Sequence, residues 1–179
     1  MNNIFRILGP VALVSSMPLL GAADMPLGAG ISGGDPFAGA VARTVKAITD
    51  YTRWPQGKDM LTFCVAGDAR HASQIGSWRT AAGQEVQRSN VAAQASALGG
   101  CDIVYIGSVP VAAQQRLTAV TRGKGVLTIA EADPGNASDA MFALDYLPQS
   151  LSFRLNIDAV SRSGLRVDPR VLRIAKVRY

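Results

Sequence analysis

Three side chains carry most of the specialised chemistry open to this 179-residue chain: Cys64, Cys101 and a single histidine, His71. With two thiols and one imidazole, a four-ligand Cys/His zinc site is out of reach. His71 lies in Asp68-Ala69-Arg70-His71, at the expected polar start of a helix. There the alternatives are a triad histidine and an exposed first-turn histidine, and the second is expected, because no G-x-S-x-G nucleophile elbow accompanies it. No C-x-x-C pair occurs either. Glu131 and Asp133 follow a strand end, where open α/β sheets bind ligands. Two carboxylates there have the equipment for acid–base work; loop acids without a catalytic role are the expectation. Gly28-Ala29-Gly30-Ile31-Ser32-Gly33 matches the dinucleotide pattern G-x-G-x-x-G. That motif needs a strand before it, and only Met25-Pro26-Leu27 separates it from a small-residue cleavage pattern. Asn136-Ala137-Ser138 fits a glycosylation sequon and says little. No catalytic, cofactor or metal site is expected.

The elements that must position these residues can be read from periodicity. Phe37, Val41, Val45 and Ile48 make one apolar helical face, with Asp35-Pro36 as N-cap and first-turn proline. Pro55 ends that helix by Trp54. Residues 61–66 read as a buried strand. Gly67-Asp68 is expected to turn into a second helix carrying Ile75 and Trp78 and closed by Gly83. Strands are predicted at 85–91, 101–107, 125–130 and 140–144. A helix with Val111, Leu117 and Val120 runs from Pro110 to Gly123. Leu151, Phe153, Leu155 and Ile157 alternate with polar residues, the period of a half-buried strand. Asn156 is expected to cap a short helix ended by Gly164. Asp168-Pro169 starts a last helix with Val171, Leu172 and Ala175 facing inward. Alternating helical and strand patterns predict a single-domain α/β sandwich, a central mixed sheet with helices on both faces.

The N-terminus decides the compartment. Residues 1–23 combine one basic residue, an apolar stretch broken by Pro10 and Pro18, and Gly21-Ala22-Ala23. This is the plan of a cleaved secretory signal peptide; an uncleaved anchor is the alternative. Residues 24–34 read as a flexible leader and 35–179 as the folded domain. Export places the cysteines in an oxidising compartment. Cys64 lies late in one predicted strand and Cys101 at the start of another. If the strands are neighbours the two can bond, closing a loop worth about 4 kcal/mol by chain entropy; two free buried thiols are the alternative.

Apolar residues make up 48% of the chain and charged ones 17%, enough for a core and too apolar for intrinsic disorder. The net charge of +5 and pI near 9.6 admit nucleic acid, anionic lipid or an acidic protein as partner. Export argues against nucleic acid. From Arg154 to Tyr179 there are seven basic residues and two acids, so the final 26 residues hold the whole net charge. A solvated face and a docking surface both fit that run.

Several segments occur in an order that resembles one family. They are Tyr51-Thr52-Arg53-Trp54-Pro55, Phe63-Cys64-Val65, Cys101-Asp102-Ile103-Val104-Tyr105-Ile106-Gly107, Val126-Leu127-Thr128-Ile129-Ala130-Glu131 and Ala140-Met141-Phe142. Asn156-Ile157-Asp158-Ala159-Val160-Ser161-Arg162-Ser163-Gly164-Leu165-Arg166-Val167 follows, then Pro169, Val171-Leu172 and Ile174-Ala175. Together, over residues 41–175, they resemble the YfiR family of periplasmic regulators. The resemblance implies regulation rather than catalysis. Such proteins bind the periplasmic sensory domain of an inner-membrane diguanylate cyclase and hold it inactive, which lowers cyclic-di-GMP and biofilm or exopolysaccharide output. An outer-membrane lipoprotein can sequester the regulator. Cys64 and Cys101 match one family cysteine pair. A second pair would fall at Asn136 and Ala143, which leaves the 133–142 loop without its bridge and any redox sensing dependent on that bridge in doubt. Arg53, Trp54, Arg162, Leu165 and Arg166 are the expected partner-binding residues, apolar anchors with a charged rim; for Trp54 the alternative is core or helix-end packing, and for Arg162 a structural salt bridge. A homodimer is possible on general grounds. The alternative function is a small-molecule binding module using the strand-end crevice near Gly67, Gly107 and Glu131.

Overall fold

The computed structural model describes residues 34–178, and the signal-peptide, leader and G-x-G-x-x-G readings fall on residues outside that range. Helix α1 (Ala38–Asp50) forms where Val41, Val45 and Ile48 share one face, and all three are fully buried. It begins later than expected. Asp35 does not cap it directly; its Oδ1 accepts from the Phe37 N–H at 2.9 Å, a tight turn one step ahead of the first helical residue. After α1 the chain runs through β1 (Thr52–Arg53), β2 (Met60–Ala66), β3 (Trp78–Arg79), β4 (Glu85–Val91) and β5 (Ile103–Ile106). Then come α2 (Val111–Thr121), β6 (Leu127–Ala130), β7 (Phe142–Leu147), β8 (Ser150–Leu155), α3 (Ile157–Ser161), β9 (Arg166–Val167) and β10 (Lys176–Arg178).

Eight strands make one sheet in the order β10-β8-β7-β6-β5-β2-β4-β3, and β1 and β9 make a separate ribbon. The centre is parallel, from β4 to β7, with antiparallel strands at both margins. Alternation sorts the side chains. Phe63, Val65, Ile103, Tyr105, Leu127 and Ile129 share a core with α1, while Cys64, Ala66, Val104 and Ile106 pack with Leu117 of α2. Both faces are covered, which is why β5 and β6 read as unbroken apolar runs. The expected sandwich is therefore the fold.

Three local expectations are corrected, the first being Ile157, which leaves the β8 alternation to open α3 and is exposed. No helix follows Gly67. The chain from 67 to 77 is a series of turns, and Trp78 and Arg79 lie in β3 instead. Its backbone is satisfied from a distance: Arg88 Nη1 donates to the Ala72 and Ile75 carbonyls at 2.8 and 2.6 Å. Those carbonyls then need no helical ladder. At the far end, Pro169–Ile174 is a 3-10 helix, initiated by Asp168 as expected. Its three-residue turn puts Val171 inward and leaves Leu172 53% exposed, against the expectation that both face the core.

Candidate interaction surface

The β1–β9 ribbon pairs Thr52 with Val167 and Arg53 with Arg166 in antiparallel register. It extends by one bond, the Asp168 N–H donating to the Tyr51 carbonyl at 2.9 Å. Arg53 and Arg166 are both exposed. Arg53 Nη1 donates to the carbonyls of Asp50 and Thr52 at 2.6 and 3.2 Å, so a cation covers the C-terminal end of α1. Among the described residues, neither arginine has a carboxylate within ion-pair distance. The nearby Asp168 is already engaged: its carboxylate accepts from the Arg170 backbone N–H at 2.9 Å and from the Arg170 guanidinium. Those bonds, with smaller help from the charge of Arg53, hold the Asp168 carboxyl down at about 2.

The five expected partner-binding residues separate. Arg53 and Arg166 come together on the ribbon. Arg162 is exposed at the end of α3 and pairs with Asp158. Trp54 and Leu165 are only 5% and 7% exposed and belong to the core on the α1 side. Each directly precedes or follows a ribbon residue, and strand alternation turns its side chain inward. Trp54 thus takes the core packing of its alternative reading, and Leu165 likewise belongs to the core that supports the ribbon.

Cys64 and Cys101 are bonded, with S–S 1.98 Å and Cα atoms 5.8 Å apart. They stitch β2 to the chain entering β5, its parallel neighbour. Beside them Asp102, buried, accepts from the Thr62 N–H at 2.9 Å and pairs with Lys58. The 133–142 loop, which holds Asn136, one position of the second cysteine pair, is pinned without a covalent bridge. Arg154 donates to the Asp133 carbonyl at 2.9 Å, to the Asn136 side chain and to the Asp145 carboxylate. Asp133, buried, accepts from the Ser138 N–H and hydroxyl at 2.9 and 2.7 Å.

The strand ends hold a second cluster. Glu131, 3% exposed, accepts from the Arg70 and His71 N–H groups at 3.0 and 2.8 Å and from the Tyr105 hydroxyl at 3.0 Å. Burial, then the neighbouring Tyr146 and the Glu131 charge, push the Tyr105 phenol well above its ordinary range. Tyr146 is raised as well, chiefly by burial, with Glu131 and Asp35 adding to it. His71 is not an exposed first-turn residue. Its Nδ1 lies 2.8 Å from Asp35 Oδ2, and its ring packs against Phe37 and Tyr146. Neither Glu131 nor Asp133 is a loop acid free for proton transfer; both are committed to holding backbone. The crevice is filled as well. Ser108 N–H donates to the Asp68 carbonyl at 2.6 Å, and a Cβ at Gly107 would meet that oxygen at 2.4 Å. The chain's own 68–71 segment sits where the small-molecule reading required space.

Sequence reasoning missed the Glu131 lock, because its backbone donors lie about 60 residues away and leave no side-chain signature. It also missed the Arg154 clamp, because Arg154 occupies an ordinary polar position of the alternating strand. Among the described residues no group of three or more His, Cys, Asp or Glu is placed to hold a metal ion. None of their helices is long and apolar enough to cross a membrane. A family model described as YfiR/HmsC-like matches residues 38–176.

Proposed function

The chain belongs to the YfiR/HmsC-like family, and on that premise we propose that it is a periplasmic regulator of an inner-membrane diguanylate cyclase. It binds the enzyme's periplasmic sensory domain and holds the enzyme inactive, which lowers cyclic-di-GMP and biofilm output. Residues 1–23 direct export and are removed, and residues 35–179 do the work. An outer-membrane lipoprotein is the second partner, releasing the cyclase by competition. To repress at all, the regulator must bind the inactive arrangement more tightly than the active one.

The observation that carries this reading to a surface is the pair of exposed arginines on the β1–β9 ribbon, Arg53 opposite Arg166, without carboxylate partners among the described residues. Arg162 extends the basic rim. Such a surface suits an acidic patch on a partner, attracting it from a distance and fixing its orientation. Regulation rather than catalysis accords with the family and with the commitment of Glu131 and Asp133 to backbone.

The test is a pull-down from detergent-solubilised membranes with the mature, oxidised protein. Recovery of a membrane protein carrying a diguanylate cyclase domain, lost in Arg53→Glu/Arg166→Glu, supports the reading and the surface. Recovery that survives the double reversal keeps the function and moves the surface. Failure to retain any cyclase, with a small molecule co-purifying, overturns the reading.

A further inference from the structure

Residues three apart eclipse one another in a 3-10 helix, so the six residues of Pro169–Ile174 sort into three pairs, each on its own face. Val171 and Ile174 point inward: Val171 is fully buried, and Ile174 packs against the same core. Arg170 and Arg173 are exposed. Pro169 and Leu172 are exposed as well, Leu172 by 53%. The helix thus carries an apolar pair beside a basic pair, both turned to solvent. We propose, on the premise that the chain is a cyclase regulator, that Leu172 is the apolar anchor of its partner-binding surface. Leu172, with Pro169 one turn before it, receives an apolar side chain that the sensory domain carries among carboxylates.

The helix continues the basic ribbon without a break. Asp168 ends the ribbon by donating its N–H to the Tyr51 carbonyl at 2.9 Å, and it starts the helix by accepting from the Arg170 N–H at 2.9 Å. Arg53 lies near enough for its charge to act on the Asp168 carboxylate. Arg170 is matched by Asp168. Among the described residues, Arg53, Arg166 and Arg173 have no carboxylate within ion-pair distance. The surplus charge around Leu172 is therefore positive, and its complement is acidic. A second copy of this chain is a poor occupant, because a two-fold contact sets a patch against itself and would oppose arginine to arginine. An anionic bilayer takes up a broad apolar face of a helix, which one leucine and one proline do not make. A protein interface, by contrast, places a small apolar centre within a polar rim.

The mature, oxidised chain is immobilised and offered detergent-solubilised membranes, and the retained cyclase is measured by mass spectrometry. Leu172→Ser is expected to cut retention about ten-fold and to leave the urea midpoint in place, since the side chain is exposed. Leu172→Met should restore most of the retention. The loss in Leu172→Ser should be the same at about 50 and about 300 mM salt, whereas the loss in Arg173→Ser should shrink as salt screens the charge. Retention by Leu172→Ser equal to that of the unsubstituted protein would overturn the proposal and leave the regulator reading standing. If the unsubstituted protein retains no cyclase, the regulator reading fails and the anchor fails with it. Binding to vesicles of phosphatidylethanolamine and phosphatidylglycerol that is lost in Leu172→Ser would assign this face to lipid, and would overturn the proposal too.

Discussion

Arg53 and Arg166 stand directly opposite each other across an antiparallel ribbon of two residues per strand. Like charges in that position repel and weaken a ladder. The ribbon persists because its inward neighbours, Trp54 and Leu165, are buried in the core beneath it. The chain therefore holds two cations together on a platform fixed by apolar packing, an arrangement that gains from an anionic partner.

Reversing that charge and removing that packing should have opposite signatures. Arg53→Glu/Arg166→Glu is expected to cost no more than about 1–2 kcal/mol, the lost Arg53 cap on α1 included, while cutting cyclase retention at least about ten-fold. Leu165→Ala and Trp54→Ala are expected to cost about 2–5 kcal/mol in urea unfolding, and to reduce retention only as the protein unfolds. Equal effects of the two classes on stability would show that the ribbon is structural alone.

The Cys64–Cys101 bridge closes a loop of moderate length, with a sequence separation of 37. Its reduction, or Cys64→Ala/Cys101→Ala, is expected to lower unfolding free energy by about 2–4 kcal/mol. Urea midpoints with and without reductant measure this. A shift absent under reduction but present in the double variant would trace the loss to packing around the sulfurs.

Glu131→Ala should be among the most damaging single changes outside the apolar core. It strands the Arg70 and His71 N–H groups and the Tyr105 hydroxyl, at a cost of about 3 kcal/mol or more. Glu131→Gln keeps one acceptor oxygen and should cost less. Chemical denaturation of both variants, with exchange of the Arg70 and His71 amides, distinguishes a lost lock from general loosening.

Tyr105 and Tyr146 resist ionisation in the folded state. The unfolded chain ionises both near pH 10. A folded value raised above the unfolded one contributes stability that is complete below pH 10 and is lost as the pH climbs beyond it. Ultraviolet titration should show two of the four tyrosines ionising only as the protein unfolds. Tyr105→Phe should flatten the alkaline fall in stability. Four tyrosines titrating together near pH 10 without unfolding would contradict this.

Asp168 provides the acid counterpart. Its carboxyl, held down at about 2 by Arg170, stays ionised below the usual carboxylate range. Its contribution is present above the unfolded value near 4 and is lost as the pH falls through about 2. Carboxyl carbon shifts should show Asp168 charged at about pH 3, and Arg170→Ala should return it toward ordinary behaviour.

The elements with strong local patterns were legible in the sequence. The 41-45-48 spacing marks α1, and the runs at β5 and β6 mark strands covered on both faces. Asn156 announces α3, accepting from the Ala159 N–H at 2.9 Å. What escaped depends on contacts far along the chain. Ile75 has the burial a helix would give it, yet its carbonyl is held by Arg88. Two-residue strands such as β1 and β9 carry no periodicity, so the pairing of Arg53 with Arg166 could not be read from either segment. The resemblance carries no information on which side chains point outward, and buried Trp54 shows how much that matters.

The contact between Gly107 and the Asp68 carbonyl bears on how this fold can change over evolutionary time. No side chain larger than hydrogen fits at position 107 without moving the opposing backbone. Substitution at position 107 therefore cannot turn the notch at the strand ends into a receptacle. Shortening the 67–71 turn can, because it would withdraw the peptide groups that occupy the notch and uncover the Glu131 carboxylate. A descendant that acquires a small-molecule ligand at that end of the sheet is expected to differ by a deletion there, with glycine no longer required at position 107.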